Sequence, residues 1–146
     1  MQRQYSEKLN EELFTVTLAG GLQLWMMPKR GAKQTVAQLS VASGVMHQLG
    51  GQQGVGVAHM VEHLLFEKPE GDIAQRFAEM GADINASTGL ESTEYVLTCG
   101  EGVERHIKLF FELVFDGRWT DSSLEGERAI IASEISLYSD DPDWVG

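Results

Sequence analysis

The sequence predicts an α+β fold: a mostly antiparallel sheet with helices packed mainly on one face. Three observations predict it. Short segments near 14–18, 22–27, 35–45, 83–88 and 93–99 carry strand-like patterns and are set off by glycine turns. Segments at 73–80, 103–115 and 122–139 instead repeat apolar residues every three to four positions, the period of a helix with one buried stripe. The 146 residues, 42% hydrophobic and 23% charged, suit one domain with a real core.

Taken in order, residues 1–12 are polar and read as a frayed lead-in. They lack the apolar core of a signal peptide. Residues 14–18 (Phe-Thr-Val-Thr-Leu) alternate apolar and polar, Gly20-Gly21 turns the chain, and 22–27 resumes a strand. This is a β-hairpin. Residues 28–31 form a basic loop, and 35–45 a third strand. The glycine-rich stretch 44–56 is a loop that lets backbone approach closely or stay flexible.

A helix follows at roughly 55–66, closed by Pro69 and Gly71. Asp72 caps a second helix over 73–80, with Ile73, Phe77 and Met80 on one face and Gly81 as the C-cap glycine. Residues 83–88 make a strand of small polar side chains, poor core material that suits an edge facing a ligand or a second backbone. After a turn at 89–91, residues 93–99 form a strong strand. Residues 103–115 are an amphipathic helix, with His106 expected on its surface. Asp121 or Ser122 caps the last helix, which runs to about Ser139 with Leu124, Ile130, Ile131, Ile135 and Leu137 as a buried stripe. Glu127 and Glu134, two turns apart, share a face. Asp140-Asp141-Pro142 breaks or bends that helix. No repeat or linker interrupts the chain.

A net charge of −11 speaks against nucleic acid or an anionic membrane as partner, because both need a basic patch. It fits basic substrates, and a divalent ion offsets acid that lines a metal site. No stretch reaches the ~18 apolar residues of a membrane span. Cys99 is the single cysteine, so no internal disulfide forms, and its apolar neighbours make it a core residue. A cytoplasmic location is the expectation.

The chemistry centres on His59-Met60-Val61-Glu62-His63. Histidines four apart stack on one helix face and can grip one divalent ion, and zinc accepts imidazole nitrogen readily. Glu62 reaches the same side, where a carboxylate beside metal-bound water is the usual general base. The spacing H-x-x-E-H is the inverse of the H-E-x-x-H zinc-protease motif. Two histidines do not complete a catalytic zinc site, which takes three protein ligands and an open position. Either Glu127 or Glu134 can supply the third.

Four segments, in order, resemble the pitrilysin and processing-peptidase type of zinc metallopeptidase. They are the stretch from Gly56 to Phe66 around the histidines, Gly81-Ala82-Asp83-Ile84-Asn85-Ala86-Ser87-Thr88 with Thr93-Glu94-Tyr95, the Glu127-Arg128 to Glu134-Ile135 helix, and Asp140-Asp141-Pro142. The resemblance implies one zinc ion held by His59, His63 and Glu134. Glu62 is then the general base on zinc-bound water, and Glu127 stands behind the ligands. Asn85 and Ala86 match the strand that pairs with an extended peptide substrate. It also implies that residues 1–146 are a single, truncated N-terminal catalytic domain of a larger peptidase. A second homologous domain or subunit then supplies the rest of the chamber. The alternative is a partner-dependent subunit that binds zinc but has little activity alone.

Overall fold

The computed structural model describes residues 1–48 and 56–139, with Gln48 and residues 135–139 as backbone only. The chain divides into two units, one spanning Met1–Lys33 and the other beginning at Gln34.

The first unit is a three-stranded antiparallel sheet, β1 (Gln2–Ser6), β2 (Glu11–Thr17) and β3 (Gln23–Met26), in that order. The expected hairpin around Gly20-Gly21 is present. The expected frayed lead-in is not, since residues 2–6 pair with β2 from Gln2↔Thr15 to Ser6↔Glu11. A strand open to solvent needs no apolar face, so its polar sequence hid a ladder that backbone alone supplies. Asn10, in the left-handed region at φ 52°, closes that turn. Side-chain ion pairs Arg3–Glu12 and Lys29–Glu11 link the sheet laterally.

The second unit holds the core. Its sheet runs in the order β4 (Thr35–Val41), β8 (Thr93–Cys99), β7 (Ala82–Thr88), antiparallel throughout. In β8 every second residue is buried: Thr93, Tyr95, Leu97 and Cys99. The register sets Leu39 and Ala86 on either side of Tyr95, and Ala37 and Ile84 on either side of Leu97. That face packs on helices α2 (Val57–Phe66), α3 (Ile73–Glu79) and α4 (Val103–Phe115), through Leu65, Ile73, Phe77, Leu109, Phe110 and Leu113. Each such side chain contributes about 1.5–3 kcal/mol on burial. Cys99 belongs to this core, as expected.

Asp72 caps α3 by accepting from Ala74 N–H at 2.8 Å, and Gly81 takes the left-handed conformation just past it. Between α2 and α3 a two-residue hairpin, β5 (Glu67–Lys68) and β6 (Gly71–Asp72), replaces a plain loop. A short α1 (Val45–Gln48) ends what was expected as the third strand. Gly44, just before it, lies against the β7–β8 turn: a Cβ there would sit 2.6 Å from the carbonyl oxygens of Gly89 and Leu90. The close backbone approach expected of the 44–56 loop therefore occurs at Gly44, while 49–55 fall outside the described residues.

Two helix assignments change. His106 is buried rather than exposed. It shares a face with Leu109, Phe110 and Leu113, and its Nε2–H donates to Met80 O at 3.2 Å. The helix α5 (Asp121–Ser139) is capped by Thr120, not Asp121 or Ser122. Thr120 Oγ1 accepts from Ser123 N–H while Ser123 Oγ accepts from Thr120 N–H, a reciprocal box. Its buried face also differs from the expected stripe. Glu127 and Ile131 are buried, Leu124 and Glu134 half-buried, and Ile130, turned about 100° away, is exposed. The side chains of Ile135 and Leu137, and the Asp140-Asp141-Pro142 bend, lie outside what is described. Among the described residues, no helix is long and apolar enough to cross a membrane.

Candidate metal centre and active site

Helix α2 packs against α5, and the candidate site lies between them. His59 and His63 are one turn apart on α2, as their spacing requires. Their rings meet edge to face at 4.7 Å, and the two Nε2 atoms stand 3.1 Å apart. Glu134, on α5, brings Oε2 to 3.6 Å from His59 Nε2 and 4.0 Å from His63 Nε2. These three residues can offer ligand atoms all within 4.8 Å of one another. All three are half-buried, so the cluster opens to solvent on one side.

The donor set fits zinc. Tetrahedral bonds of about 2.0–2.1 Å place neighbouring ligand atoms about 3.3 Å apart, and the observed separations bracket that value. The chemistry fits as well, two imidazole nitrogens and a carboxylate oxygen.

Glu127, the other α5 candidate, has a different place. It is buried, and its Oε2 accepts from the opposite nitrogen of the His63 ring, Nδ1, at 2.8 Å. That hydrogen bond puts the proton on Nδ1 and turns the Nε2 lone pair toward His59 and Glu134.

Glu62 projects from the same turn of α2 but toward the sheet. It is buried, and Thr88 Oγ1 donates to its Oε2 at 2.5 Å. Its carboxylate and burial together push the Tyr95 phenol up to about 12, burial being the larger cause, so that phenol stays neutral. A cleft of about 380 Å³ opens beside His63, lined by Glu62, His63, Phe66, Asn85, Ala86 and Glu127 among others. Glu67 and Asp72, from the small hairpin, also line it. Partial burial first, then the neighbouring Glu127 carboxylate, hold the Glu67 carboxyl above its usual range.

β7 is an edge strand of its sheet among the described residues. Asn85 side chain is exposed, and its Oδ1 accepts from Ala86 N–H at 2.9 Å. That local bond occupies an amide on the strand bordering the cleft.

Sequence reading missed two features near this site. Thr88 belongs to β7 and shares its inward parity with Ile84 and Ala86, a period-2 signal that could have pointed it toward Glu62. Lys68 had no such signal. Its ammonium is buried and donates to the carbonyls of Glu112, Leu113 and Asp116, closing the C-terminus of α4.

Comparison with known proteins gives the family. The family described as insulinase (peptidase family M16) matches residues 27–145. A Bacillus subtilis protein called "Uncharacterized zinc protease YmfH" is 36% identical over 146 residues, covering 94% of this chain and 34% of its own. The crystal structure of an M16-like peptidase from Alicyclobacillus acidocaldarius superposes with a TM-score of 0.83 at 33% identity, over 92% of this chain and 33% of that one. A peptidase M16 inactive domain from Pseudomonas fluorescens shares the fold, with a TM-score of 0.78 at 23% identity. The chain spans about a third of the length of these relatives. The resemblance drawn from the four sequence segments thus holds across the fold, and the chain belongs to the insulinase family of peptidases, M16.

Proposed function

We propose that this chain is the zinc-binding catalytic domain of a metalloendopeptidase that hydrolyses peptides bound as an added β-strand. The observation that carries the reading is the convergence of His59 Nε2, His63 Nε2 and Glu134 Oε2 at 3.1–4.0 Å, beside a buried carboxylate. In this reading those three residues hold one zinc ion. When bound, zinc supplies Lewis-acid chemistry, acidifying a water and polarising the scissile carbonyl.

The chain's own residues do the rest. Glu127 fixes the tautomer and orientation of His63 through Nδ1. Glu62, with Oε2 engaged by Thr88, takes a proton from the attacking water at its other carboxylate oxygen and passes it to the leaving amine. β7 offers its open edge to the extended peptide, which displaces the Asn85 side chain from Ala86 N–H and aligns the scissile bond along the cleft. The acidic lining favours peptides with basic residues.

A second reading rests on length. The relatives are about three times as long as this chain, and one relative of the same fold is called an inactive domain. In that reading a second homologous domain or subunit completes the chamber and the oxyanion stabilisation, and the present chain alone binds zinc but hydrolyses poorly. Metal analysis tests the shared core of both readings. One zinc per chain, lost in His59→Ala and His63→Ala, supports it; a protein that takes up no zinc refutes it.

A further inference from the structure

We propose that Thr88 is a positioning residue for the general base Glu62, and that Thr93, itself fixed on the Ser43 carbonyl, packs behind it. The proposal rests on the peptidase reading above, because it concerns the same carboxylate. Thr88 Oγ1 and Glu62 Oε2 are 2.5 Å apart, within the range of hydroxyl–carboxylate bonds strengthened by charge. The bond joins β7 to α2 across 26 residues and is the one hydrogen bond to this carboxylate among the described residues.

The hydroxyl is held from behind. Thr93 lies directly opposite Thr88 in the β7–β8 register, and its Oγ1 is 3.2 Å from that of Thr88. Thr93 is buried and its hydroxyl donates to Ser43 O at 2.8 Å. A hydroxyl has one proton to give. With the Thr93 proton on Ser43 O and the Thr88 proton on Glu62, the 3.2 Å contact between the two hydroxyl oxygens carries no proton of its own, and Thr93 backs Thr88 by packing.

Ser43 in turn cannot drift. The residues after it bond to the β7–β8 turn, Val45 N–H to Gly89 O at 3.1 Å and Met46 N–H to Leu90 O at 2.8 Å. Gly44 fits between them only because it lacks a Cβ. The hairpin turn and the segment after β4 are therefore tied together behind Thr88, whose hydroxyl bonds the carboxylate on α2. Threonine is also stiff at χ1, so the donor direction is set by the strand. With Oε2 held by Thr88, Oε1 is the oxygen left to move the proton. Without the tie Glu62 samples other rotamers, and misplacement of about 1 Å costs on the order of a hundredfold in rate.

The test uses the whole protein with every domain it carries, a fluorogenic peptide that the wild type cleaves, and Glu62→Gln as reference. Thr88→Val should lower kcat about ten- to a hundredfold with KM and zinc content unchanged, and Thr88→Ser should restore kcat to within a few-fold of wild type. Should valine upset the strand, as seen by thermal melting, Thr88→Ala is judged by the same criteria. Wild-type kcat in the hydroxyl-free variant overturns the proposal. So does a Thr88→Ser variant as impaired as Thr88→Val, which would assign the role to packing by the methyl group. Full activity in Glu62→Gln, by contrast, sinks the peptidase reading itself and the proposal with it.

Discussion

His63 Nδ1 lies 2.8 Å from Glu127 Oε2, so the two carboxylates of α5 serve one histidine from opposite sides. Glu127 meets the Nδ1 side and is buried; Glu134 stands on the Nε2 side and is half-exposed. Two glutamates seven residues apart share a helix face, and only the position of the imidazole separates their roles. Glu134→Ala should leave the protein without stoichiometric zinc. Glu127→Ala should retain zinc with an affinity about 10- to 100-fold weaker, read by chelator competition. If Glu127→Ala loses the metal and Glu134→Ala keeps it, the two roles are reversed.

The bond from Ala86 N–H to Asn85 Oδ1 leads to a second prediction. If a peptide takes over that amide, Ala86→Pro removes the donor. KM should rise about threefold to tenfold, the worth of one main-chain hydrogen bond, with kcat less affected. A proline variant of unchanged melting temperature and unchanged KM would exclude pairing at this position.

Lys68 is a structural matter. Its ammonium, 6% exposed, satisfies three carbonyls at the end of α4. A helix C-terminus leaves such carbonyls without partners, and a cation there also meets the helix dipole favourably. Lys68→Met keeps the aliphatic stem but takes the ammonium from the Leu113 and Asp116 oxygens, while Glu112 O still accepts from Asp116 N–H, at a cost of about 2 kcal/mol. The thermal midpoint of this unit should fall by roughly 6–12 °C. An unchanged midpoint would show that water replaces the ammonium at no cost.

Arg76 on α3 and Glu112 on α4 set a pH dependence. The guanidinium donates to both carboxylate oxygens, at 3.1 Å for Nη2, and holds the Glu112 carboxyl below its usual range. A carboxyl lowered on folding stabilises the protein above its unfolded pKa, near 4.5, and the contribution is lost as pH falls through the folded value. Both side chains are partly exposed, so the gain is under about 1 kcal/mol. Urea midpoints of wild type and Glu112→Gln should differ at pH 7 and converge toward pH 3. A gap that persists at pH 3 would assign the difference to packing.

Much of this was legible in the sequence, for reasons that differ by element. The α4 helix was legible to the residue because its apolar period is unbroken and glycines flank it. The β7–β8 hairpin was legible from β-branched residues on one strand, small polar residues on the other and a glycine turn between. The histidine pair was legible because helix geometry alone joins positions 59 and 63. What joins those histidines to α5 came only from the family resemblance: periodicity puts Glu127 and Glu134 on one face but cannot say which side of an imidazole each meets. β1 was missed because an exposed strand carries no apolar signal. His106 was misplaced because its polar identity outweighed its position, although 106, 109, 110 and 113 form one stripe. The Thr88–Glu62 bond depends on how α2 lies over the sheet, a tertiary fact that no local pattern carries.

If Glu62 moves the proton at a zinc centre made by His59, His63 and Glu134, removing its charge spares the metal and stops the reaction. The direct measurement is zinc content and peptide hydrolysis, on the same preparation, of wild type and Glu62→Gln in the whole protein. One zinc per chain is expected in both, with hydrolysis in the variant lower by about two to four orders of magnitude. Zinc retained together with wild-type hydrolysis in Glu62→Gln would contradict it.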